Sequence, residues 1–326
     1  MRLRFITREE YSMDKVFFGV DIGGTATKLG AFSAEGKLLD KWEIPTDTGE
    51  HGSRIMPNIA AEIVRYAGTT ENVIAAGVGV PGPVRRDGYV RRCVNLGWGG
   101  FNPARDLSAQ LEGVPTFAGN DANMAAMGEY WQGGGQGARS LVFITLGTGV
   151  GGGIVLDGRV VYGSAGLGGE IGHVVVNPDE PMPCNCGQYG CLDQTASATG
   201  VVRHAKRVLA RRTDEPSALR ALDAITARDV FDAAKAGDAL AYEAVDTCMG
   251  FLGKSMAMLT NIIDPDMYII GGGVSKAGEF LIDLVRRHYE QLATLSEQRA
   301  KIALATLGND AGIYGAAKLA MDAVRR

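Results

Sequence analysis

Two stretches of the chain follow the same pattern of a buried strand, a bend rich in Gly and Thr, a second strand, a turn and a third strand. The first covers residues 16–44 and contains the bend Gly23-Gly24-Thr25, and the second covers residues 140–162 and contains the bend Gly147-Thr148-Gly149. Short apolar runs bounded by glycine are typical of strands. Segments of helical periodicity alternate with them, so the pattern predicts α/β architecture in two related lobes.

The composition is that of a chain that folds around buried cores. Of its 326 residues, 46% are hydrophobic and 21% are charged, and this length is typical of about two domains. The formal net charge is −4 and no basic stripe is visible, so no nucleic-acid partner is expected. No apolar segment has the character of a membrane span or of a secretory signal. We therefore expect a soluble, cytoplasmic protein that has no membrane partner.

The chain contains 46 glycines, about twice the usual share. Their clustering between Gly133 and Gly172 indicates backbone that turns sharply or approaches a ligand closely. Two segments, which begin at Gly77 and Gly147, match G-x-G-x-x-G, but neither leads into a helix as the dinucleotide fingerprint requires. Gly253-Lys254-Ser255 lacks the leading glycine of a P-loop and lies in a predicted helix. Dinucleotide-binding and P-loop folds are therefore excluded.

Each of the two bends can form a phosphate site. Successive glycines expose backbone N–H groups, and threonine hydroxyls add donors. Asp21 precedes the first bend, and a carboxylate at a strand end can hold Mg²⁺ through water. The alternative is a pair of hairpin turns that merely prefer glycine, which would account for either bend alone. Two related bends, one in each predicted lobe, favour phosphate binding.

Four residues of the types that bind metals lie within 19 positions, namely His173, Cys184, Cys186 and Cys191. This donor set suits a closed tetrahedral zinc site. A disulfide or buried thiols are the alternatives, although disulfides are disfavoured in a cytosolic chain. Cys93 and Cys248 stand alone in the sequence and are expected in the core.

Some polar residues have an ordinary structural interpretation beside a catalytic one. Asn120-Asp121 precedes a predicted helix, and both residue types are preferred at helix N-caps. Glu170 can be a plain surface acid. The residues alone do not decide between these roles.

Six motifs follow one another along the chain. They are DIGGT at 21–25, GVPGP at 79–83, NDAN at 120–123, LGTGVGGG at 146–153, GEIGH at 169–173 and CNCGQYGC at 184–191. In this order they resemble the ROK family (repressors, open reading frames and kinases), and most closely its bacterial glucokinases. The likeness extends over about residues 16–325.

The resemblance implies an actin-like ATPase fold of the ribonuclease H-like class, in which two lobes descend from one duplicated unit around a central cleft. After an N-terminal extension of residues 1–15, residues 16–120 would form a small N-terminal lobe. Residues 121–326 would form a large C-terminal lobe that carries the zinc loop. The C-terminal helix would pack back on the small lobe.

The resemblance also implies an ATP-dependent hexose kinase that uses ATP and Mg²⁺ and contains a structural Zn²⁺. The cofactor-binding positions would be Asp21, Gly23, Gly24, Thr25, Lys28, Gly147, Thr148, Gly149, Gly271, Gly272 and Gly273. Asp121 would be the general base that accepts the proton of the glucose 6-hydroxyl as this group attacks the γ-phosphate.

Sugar contacts are implied for Asn95, Asn120, Asp121, Glu170, His173 and Asp193. His173 would be shared between zinc and sugar, with one ring nitrogen for each. Glucokinases of the family usually carry Leu-Glu after the last cysteine, whereas this chain has Leu192-Asp193. Aspartate is one methylene shorter, so the sugar contact is lost, bridged by water or regained by a backbone shift. The preferred hexose is therefore left open.

Other activities of the family are the alternatives. The sequence does not separate a glucokinase from an N-acetylmannosamine kinase, a fructokinase or mannokinase, or an allose kinase, and it does not show whether polyphosphate can replace ATP. Repressors of the family carry an N-terminal helix-turn-helix, and with about 15 residues before the first predicted strand a repressor is not expected here. A homodimer is expected because dimers are common among relatives.

Overall fold

Two five-stranded mixed sheets are the framework of the protein. A computed structural model describes residues 15–295 and 298–325, so the predicted N-terminal extension lies outside the described residues except for Lys15. The strands are β1 (Val16–Ile22), β2 (Ala26–Phe32), β3 (Leu38–Pro45), β4 (Val73–Val80), β5 (Thr116–Asn120), β6 (Ser140–Leu146), β7 (Val150–Leu156), β8 (Arg159–Val160), β9 (Met267–Gly271) and β10 (Lys301–Leu304). The helices are α1 (Gly49–Gly52), α2 (Ile55–Ala67), α3 (Pro103–Gln110), α4 (Asp121–Gln132), α5 (Leu192–Ala196), α6 (Ala198–Arg211), α7 (Ala227–Lys235), α8 (Ala239–Ile263), α9 (Glu279–Leu292) and α10 (Ala311–Val324).

The two sheets have the same topology. The first has the order β3-β2-β1-β4-β5, and the second, read in the corresponding direction, has the order β8-β7-β6-β9-β10. In each sheet the first three strands form an antiparallel meander, and the last two are added in parallel on the other side of the first strand. The prediction of two related α/β lobes is thus confirmed.

The chain divides into two compact units. The first contains the described residues up to Met124 together with those from Gly312 onward, and the second runs from Ala125 to Ala311. All but the first residue of α10 therefore belongs to the first unit. Among the described helices, none combines the length and the apolar character that a membrane span requires.

In the first unit, opposite faces of β1 pack against different helices. Phe18 and Val20 are fully buried in a core that contains Ile59 of α2, and burial of such apolar side chains is the main source of stability. On the other face, a Cβ on Gly19 would lie 1.9 Å from the carbonyl oxygen of Ile313 in α10. Glycine at this position is what allows α10 to lie directly on the sheet.

In the second unit, β6 alternates between two cores, as the side chains of a strand must. Val142 and Ile144 belong to the large core that contains much of α6 and α8. Leu141 and Phe143 pack with Met127 of α4. The strand is buried on both faces, and its carboxyl end leads directly into the second Gly/Thr bend.

Several local predictions are confirmed in this framework. Cys93 and Cys248 are buried. The residue pattern Thr226-Ala-Arg-Asp229 is typical of a capping box, and Thr226 and Asp229 form one at the start of α7. Lys254 lies inside α8, where its Nζ donates to the carbonyl of Val176 at 3.0 Å, so it has a structural role and not that of a P-loop lysine.

Candidate functional site

The carboxyl ends of the parallel strands in the first unit bring together the polar residues predicted there. Asp21, near the end of β1, lies opposite Lys28 of β2 and Gly79 of β4. Asn120 ends β5, which is parallel to β4, and Asp121 follows it. Since parallel strands end at the same edge of a sheet, Asp21 and the Asn120-Asp121 pair share one edge, where α/β proteins commonly bind ligands.

Asp21 lies in surroundings that disfavour its ionised form. Gly312 of α10 is so near that a Cβ there would lie 2.5 Å from Cγ of Asp21. Burial of the carboxyl and the nearby Asp121 raise the pKa of Asp21 to about 6, against a lowering effect of Lys28. A bound cation would stabilise the carboxylate form, so this position suits a divalent ion.

The bend after β1 is tight and accessible. The N–H of Gly23 donates to the carbonyl of Ala26 at 2.9 Å, and a Cβ on Gly23 would lie 2.8 Å from the same oxygen. Gly24 and Thr25 are exposed. Glycine is therefore needed to close the turn, and the residues at its tip can be reached by a ligand.

Asn120 is the N-cap of α4, and Asp121 is the first residue of the helix. Oδ1 of Asn120 accepts a hydrogen bond from the N–H of Asn123 at 3.0 Å. Nδ2 of Asn120 donates to the carbonyl of Gly82 at 3.0 Å and to Oδ1 of Asp121 at 2.8 Å. The same Oδ1 accepts from the N–H of Ala122 at 2.8 Å. The capping interpretation is correct for Asn120, and the same bonds fix the orientation of the Asp121 carboxylate.

Asn95 is exposed and lies in a short turn of the first unit. The turn Val94–Leu96 is closed by hydrogen bonds between Cys93 and Trp98, in which each N–H donates to the other's carbonyl at 3.0 Å. Burial raises the pKa of the Cys93 thiol, and Asp121 contributes to the rise. The charge of Asp121 thus acts on the residue that precedes the turn with Asn95.

In the second unit, two glycine-rich turns adjoin at the ends of the parallel strands β6 and β9. The N–H of Gly147 donates to the carbonyl of Gly149 at 2.9 Å, which closes the bend 147–149. Gly272 has a φ of 84°, and a Cβ there would lie 2.5 Å from the carbonyl oxygen of Leu146. Only glycine permits this approach, so the turn 271–273 lies against the end of β6.

Glu170 precedes a short 3₁₀ turn, Ile171–His173, which ends at His173 and packs on β7. The N–H of His173 donates to the carbonyl of Glu170 at 3.1 Å. A Cβ on Gly172 would lie 2.0 Å from the carbonyl oxygen of Val150. Glycine thus lets the turn lie on the first residue of β7, with Glu170 half-buried and His173 exposed.

The four predicted metal ligands converge in the second unit. The ligand atoms of His173, Cys184, Cys186 and Cys191 all lie within 4.8 Å of one another. Sγ of Cys184 is 3.7 Å from Nδ1 of His173, and Sγ of Cys186 is 3.6 Å from Sγ of Cys191. The three cysteines are free thiols. Tetrahedral thiolate coordination at about 2.3 Å places sulfur atoms about 3.8 Å apart. The donor set and its spacing therefore fit zinc.

The loop at residues 174–191, which carries the cysteines and is called the metal loop below, is also held by bonds that need no metal. Nη1 and Nη2 of Arg207 in α6 donate to Glu180 at 2.8 and 2.7 Å, and this pair holds the pKa of the buried Glu180 below its usual range. Nε2 of Gln194 donates to the carbonyl of Met182 at 2.6 Å. Two separate devices, the ligand cluster and these anchors, thus shape the loop.

Asp193 is the second residue of α5 and stands two positions after Cys191. Its Oδ1 accepts a hydrogen bond from the N–H of Val150 at 2.6 Å. The residue is half-buried. Its hydrogen bond links α5 to Val150, the residue that follows the second Gly/Thr bend.

Two further residues shape the site without having been singled out in the sequence. Gly312 allows α10 to cover Asp21, and no local motif marks it. Thr199 donates from Oγ1 to the carbonyl of Thr148 at 2.8 Å. It stands two residues after Ser197, whose Oγ caps α6, and such a cap is a recognisable signal for the start of a helix but not for contact with a bend.

Comparison of the sequence with known proteins finds a matching family model and a similar enzyme. A family model described as the ROK family matches residues 17–323. A glucokinase of Halalkalibacterium halodurans is 43% identical over 313 residues, which are 93% of this chain and 94% of the relative.

Solved structures agree with these sequence relatives. A ROK hexokinase from Thermus thermophilus has a TM-score of 0.79 at 34% identity, covering 95% of this chain and 99% of that chain. A ROK family glucokinase from Streptomyces griseus, in complex with glucose and AMPPNP, has a TM-score of 0.73 at 34% identity, covering 94% of this chain and 99% of that chain. From the family match, the shared fold and the placement of the ordered motifs at the two sheet edges and the metal cluster, it follows that the chain belongs to the ROK family.

Proposed function

We propose that the chain is an ATP-dependent hexose kinase, a glucokinase that transfers the γ-phosphate of ATP to the 6-hydroxyl of glucose. The observation that carries the proposal is the fixed carboxylate of Asp121 at the sheet edge that also holds Asp21. It is supported by the glucokinase of Halalkalibacterium halodurans at 43% identity and by the Streptomyces griseus glucokinase that was solved with glucose and AMPPNP.

Asp121 is proposed as the general base. Its Oδ1 is oriented by Nδ2 of Asn120 and by the N–H of Ala122. The carboxylate would accept the proton of the sugar hydroxyl while that oxygen attacks the γ-phosphorus. Phosphoryl transfer depends mostly on positioning and on charge stabilisation, so a base held by two hydrogen bonds suits it.

The nucleotide is proposed to bind through glycine-rich turns in both units. In the first unit, Gly23, Gly24, Thr25 and Lys28 would contact phosphates, and in the second, Gly147, Thr148 and Gly149 would do so, with Gly271, Gly272 and Gly273 on the adenosine side. Asp21 would hold Mg²⁺ through water. When bound, this ion neutralises charge on the phosphates.

The sugar is proposed to contact Asn95, Asn120, Glu170 and His173. Both N–H groups of the Asn120 amide are already used on Gly82 and Asp121, so Asn120 would offer the sugar only its Oδ1. Nδ1 of His173 lies in the metal cluster beside Cys184. Its Nε2 is then the nitrogen proposed to bind the sugar, and zinc on Nδ1 would fix the ring.

Substrate preference is tested with ATP and a panel of glucose, mannose, fructose and N-acetylmannosamine in a coupled assay of ADP release. We expect glucose to give the highest kcat/KM. A higher value with N-acetylmannosamine, or with mannose or fructose, would instead support one of the alternative sugar kinases of the family. Absence of turnover with every sugar, in a protein that still binds AMPPNP, would contradict a hexose kinase. Light scattering on the same sample tests the proposed homodimer.

Replacement of Asp121 by Asn tests the base. We expect kcat to fall about 10²- to 10⁴-fold, the usual contribution of a general base, with unchanged glucose affinity and unchanged zinc content. Asp106→Asn is the matched control, because Asp106 is likewise half-buried in the first turn of a helix in the same unit. A D121N variant with a kcat near that of this control would refute the assignment.

A further inference from the structure

Asp193 contacts the second Gly/Thr bend in two ways, through a hydrogen bond to Val150 and through close packing against Gly149. Its Oδ1 lies 2.6 Å from the amide nitrogen of Val150. A Cβ on Gly149 would lie only 2.5 Å from the same oxygen. The carboxylate therefore lies against the backbone of residues 149–150, and a side chain at position 149 would displace it.

The same short segment of chain holds the rest of the bend. The N–H of Ala198 donates to the carbonyl of Gly147 at 2.8 Å, and Oγ1 of Thr199 donates to the carbonyl of Thr148 at 2.8 Å. Together with Asp193, residues 193–199 thus bind the backbone at 147, 148 and 150. These bonds do not use the N–H groups of Thr148 and Gly149, which are the donors proposed to meet a phosphate.

The position of α5 makes the short side chain of Asp193 suitable for this contact. The N–H of Leu192 donates to the carbonyl of Val174 at 2.9 Å, and the Leu192 side chain is fully buried. The start of the helix is therefore fixed, and the length of the side chain at 193 decides where its carboxylate lies. An aspartate reaches the N–H of Val150, whereas a glutamate would carry its carboxylate one methylene further.

We propose that Asp193 is a positioning residue that holds the phosphate-binding bend, in place of the sugar contact expected from the family resemblance. The proposal rests on the proposed function in one respect, namely that the bend at 147–149 receives nucleotide phosphates. A carboxylate that accepts a backbone N–H forms one of the stronger hydrogen bonds in proteins. Its loss frees the end of the bend without removing any group that touches the sugar.

The experiment compares Asp193→Ala with Asp193→Asn. Binding of Mg²⁺·AMPPNP in the absence of sugar is measured by calorimetry, the two KM values by kinetics, and amide exchange at Val150 by NMR or mass spectrometry. We expect D193A to weaken AMPPNP about tenfold, the effect of one charge-assisted hydrogen bond, and to speed exchange at Val150 by a similar factor. The KM for glucose should change by less than about twofold.

D193N separates position from charge, because its amide oxygen can still accept from Val150. It should retain most of the AMPPNP affinity and the protection of the Val150 amide. Asp179→Ala, in an exposed part of the metal loop, is the matched control and should leave all three measurements unchanged.

Gly149→Ala provides a second route to the same contact if D193A does not fold. Its methyl group would displace the Asp193 carboxylate, so exchange at Val150 should again increase. In a double variant with D193A it should add little, because both changes remove one interaction.

Three results would overturn the proposal. One is a D193A variant in which the KM for glucose rises tenfold while AMPPNP binding and exchange at Val150 stay normal, since that is the behaviour of a sugar ligand. Another is a D193N variant as weak as D193A in AMPPNP binding. The third is unchanged exchange at Val150 in both D193A and G149A. A wild-type protein that phosphorylates no hexose would refute the proposed function and leave the binding and exchange results able to decide the role of Asp193.

Discussion

Asp21 shows how one residue acquires functional character from three neighbours. Gly312 removes solvent from one side of its carboxyl, Asp121 adds a second negative charge, and Lys28 opposes both across the β1–β2 pair. The first two effects prevail, since the pKa of Asp21 rises to about 6. A carboxyl held this way costs folding free energy as the pH rises from its unfolded value of 3.8, and it costs the most above about 6, where a bound cation would offset the cost.

We therefore predict that Asp21→Asn stabilises the ligand-free protein at pH 8. A carboxyl whose pKa is higher in the folded protein than in the unfolded chain begins to oppose folding when the pH passes its unfolded value of 3.8, and the penalty is complete above its folded pKa of about 6. The gain in the free energy of unfolding should reach up to about 3 kcal/mol at pH 8 and be smaller at pH 5, where the folded protein already keeps the carboxyl protonated. Urea unfolding at the two pH values measures it.

The exposed Asp40 on β3 gives the control for this comparison. Asp40→Asn should change the free energy of unfolding little at either pH. A D21N variant that is less stable than the wild type at pH 8 would show that Asp21 contributes favourable interactions that outweigh its buried charge.

The metal loop is the element whose two kinds of anchor can be separated by experiment. Cys184, Cys186 and Cys191 cluster with His173, whereas Glu180 is bound by Arg207 and Met182 by Gln194. The first set depends on an ion, and the second does not.

We predict one tightly bound zinc ion per chain, lost on chelation or in Cys186→Ser. Metal analysis after dialysis measures the content. Hydrogen exchange should become faster at residues 184–191 and stay unchanged at 179–182, because Glu180 and Gln194 still hold that part. Cys93→Ala, a buried cysteine outside the cluster, should keep its zinc. A zinc-free wild type, or equal exchange along the whole loop, would contradict this division.

At the scale of elements, the sequence predicts strands better than the contacts between them. Glycine marks the ends of β1, β6 and β9, so these strands could be placed from their apolar runs. For the helix α9, the buried residues Leu281, Ile282 and Val285 repeat with helical spacing, so the sequence contains its signal. β10 has only four residues, partly buried or exposed, and its pattern is too short to distinguish it from a loop.

The candidate site was predictable in the same uneven way. Motifs locate the glycine bends and the metal ligands because turn formation and coordination demand particular residue types. The bond from Asp193 to Val150 joins residues 43 positions apart, and the cover of Gly312 over Asp21 joins the two ends of the described chain. Such contacts follow from tertiary packing, which no local pattern contains.

At the scale of the whole molecule, the two sheets share one topology, so Asp21 of the first sheet and Thr145 of the second occupy equivalent positions. Asp21 lies opposite Gly79 of the added parallel strand, and Thr145 lies opposite Gly271 in the same way. One copy therefore presents a carboxylate where the other presents a neutral hydroxyl. An acid at position 145 as well would place a second negative charge beside a bend that is proposed to bind phosphate, and the two would repel each other.

We predict that the stability of the whole first unit depends on the close contact between α10 and the first sheet, so that a side chain inserted there destabilises the unit. A Cβ on Gly77 would lie 1.8 Å from the carbonyl oxygen of Ala316. Gly77→Ala should therefore lower the free energy of unfolding by more than about 2 kcal/mol, because backbone and not a flexible side chain must move. Gly99→Ala, where a Cβ meets nothing within 4 Å, is the control and should be nearly neutral. Equal denaturation midpoints for the two variants would contradict the prediction.

That contact also sets the order in which the protein can be completed during synthesis. The second unit is one continuous stretch, from Ala125 to Ala311, and can fold as soon as it has left the ribosome. The first unit begins earlier but needs residues from Gly312 onward, so its sheet stays uncovered on one face while the whole second unit is translated. Asp21, among the first residues of the described chain to be made, acquires its final surroundings among the last.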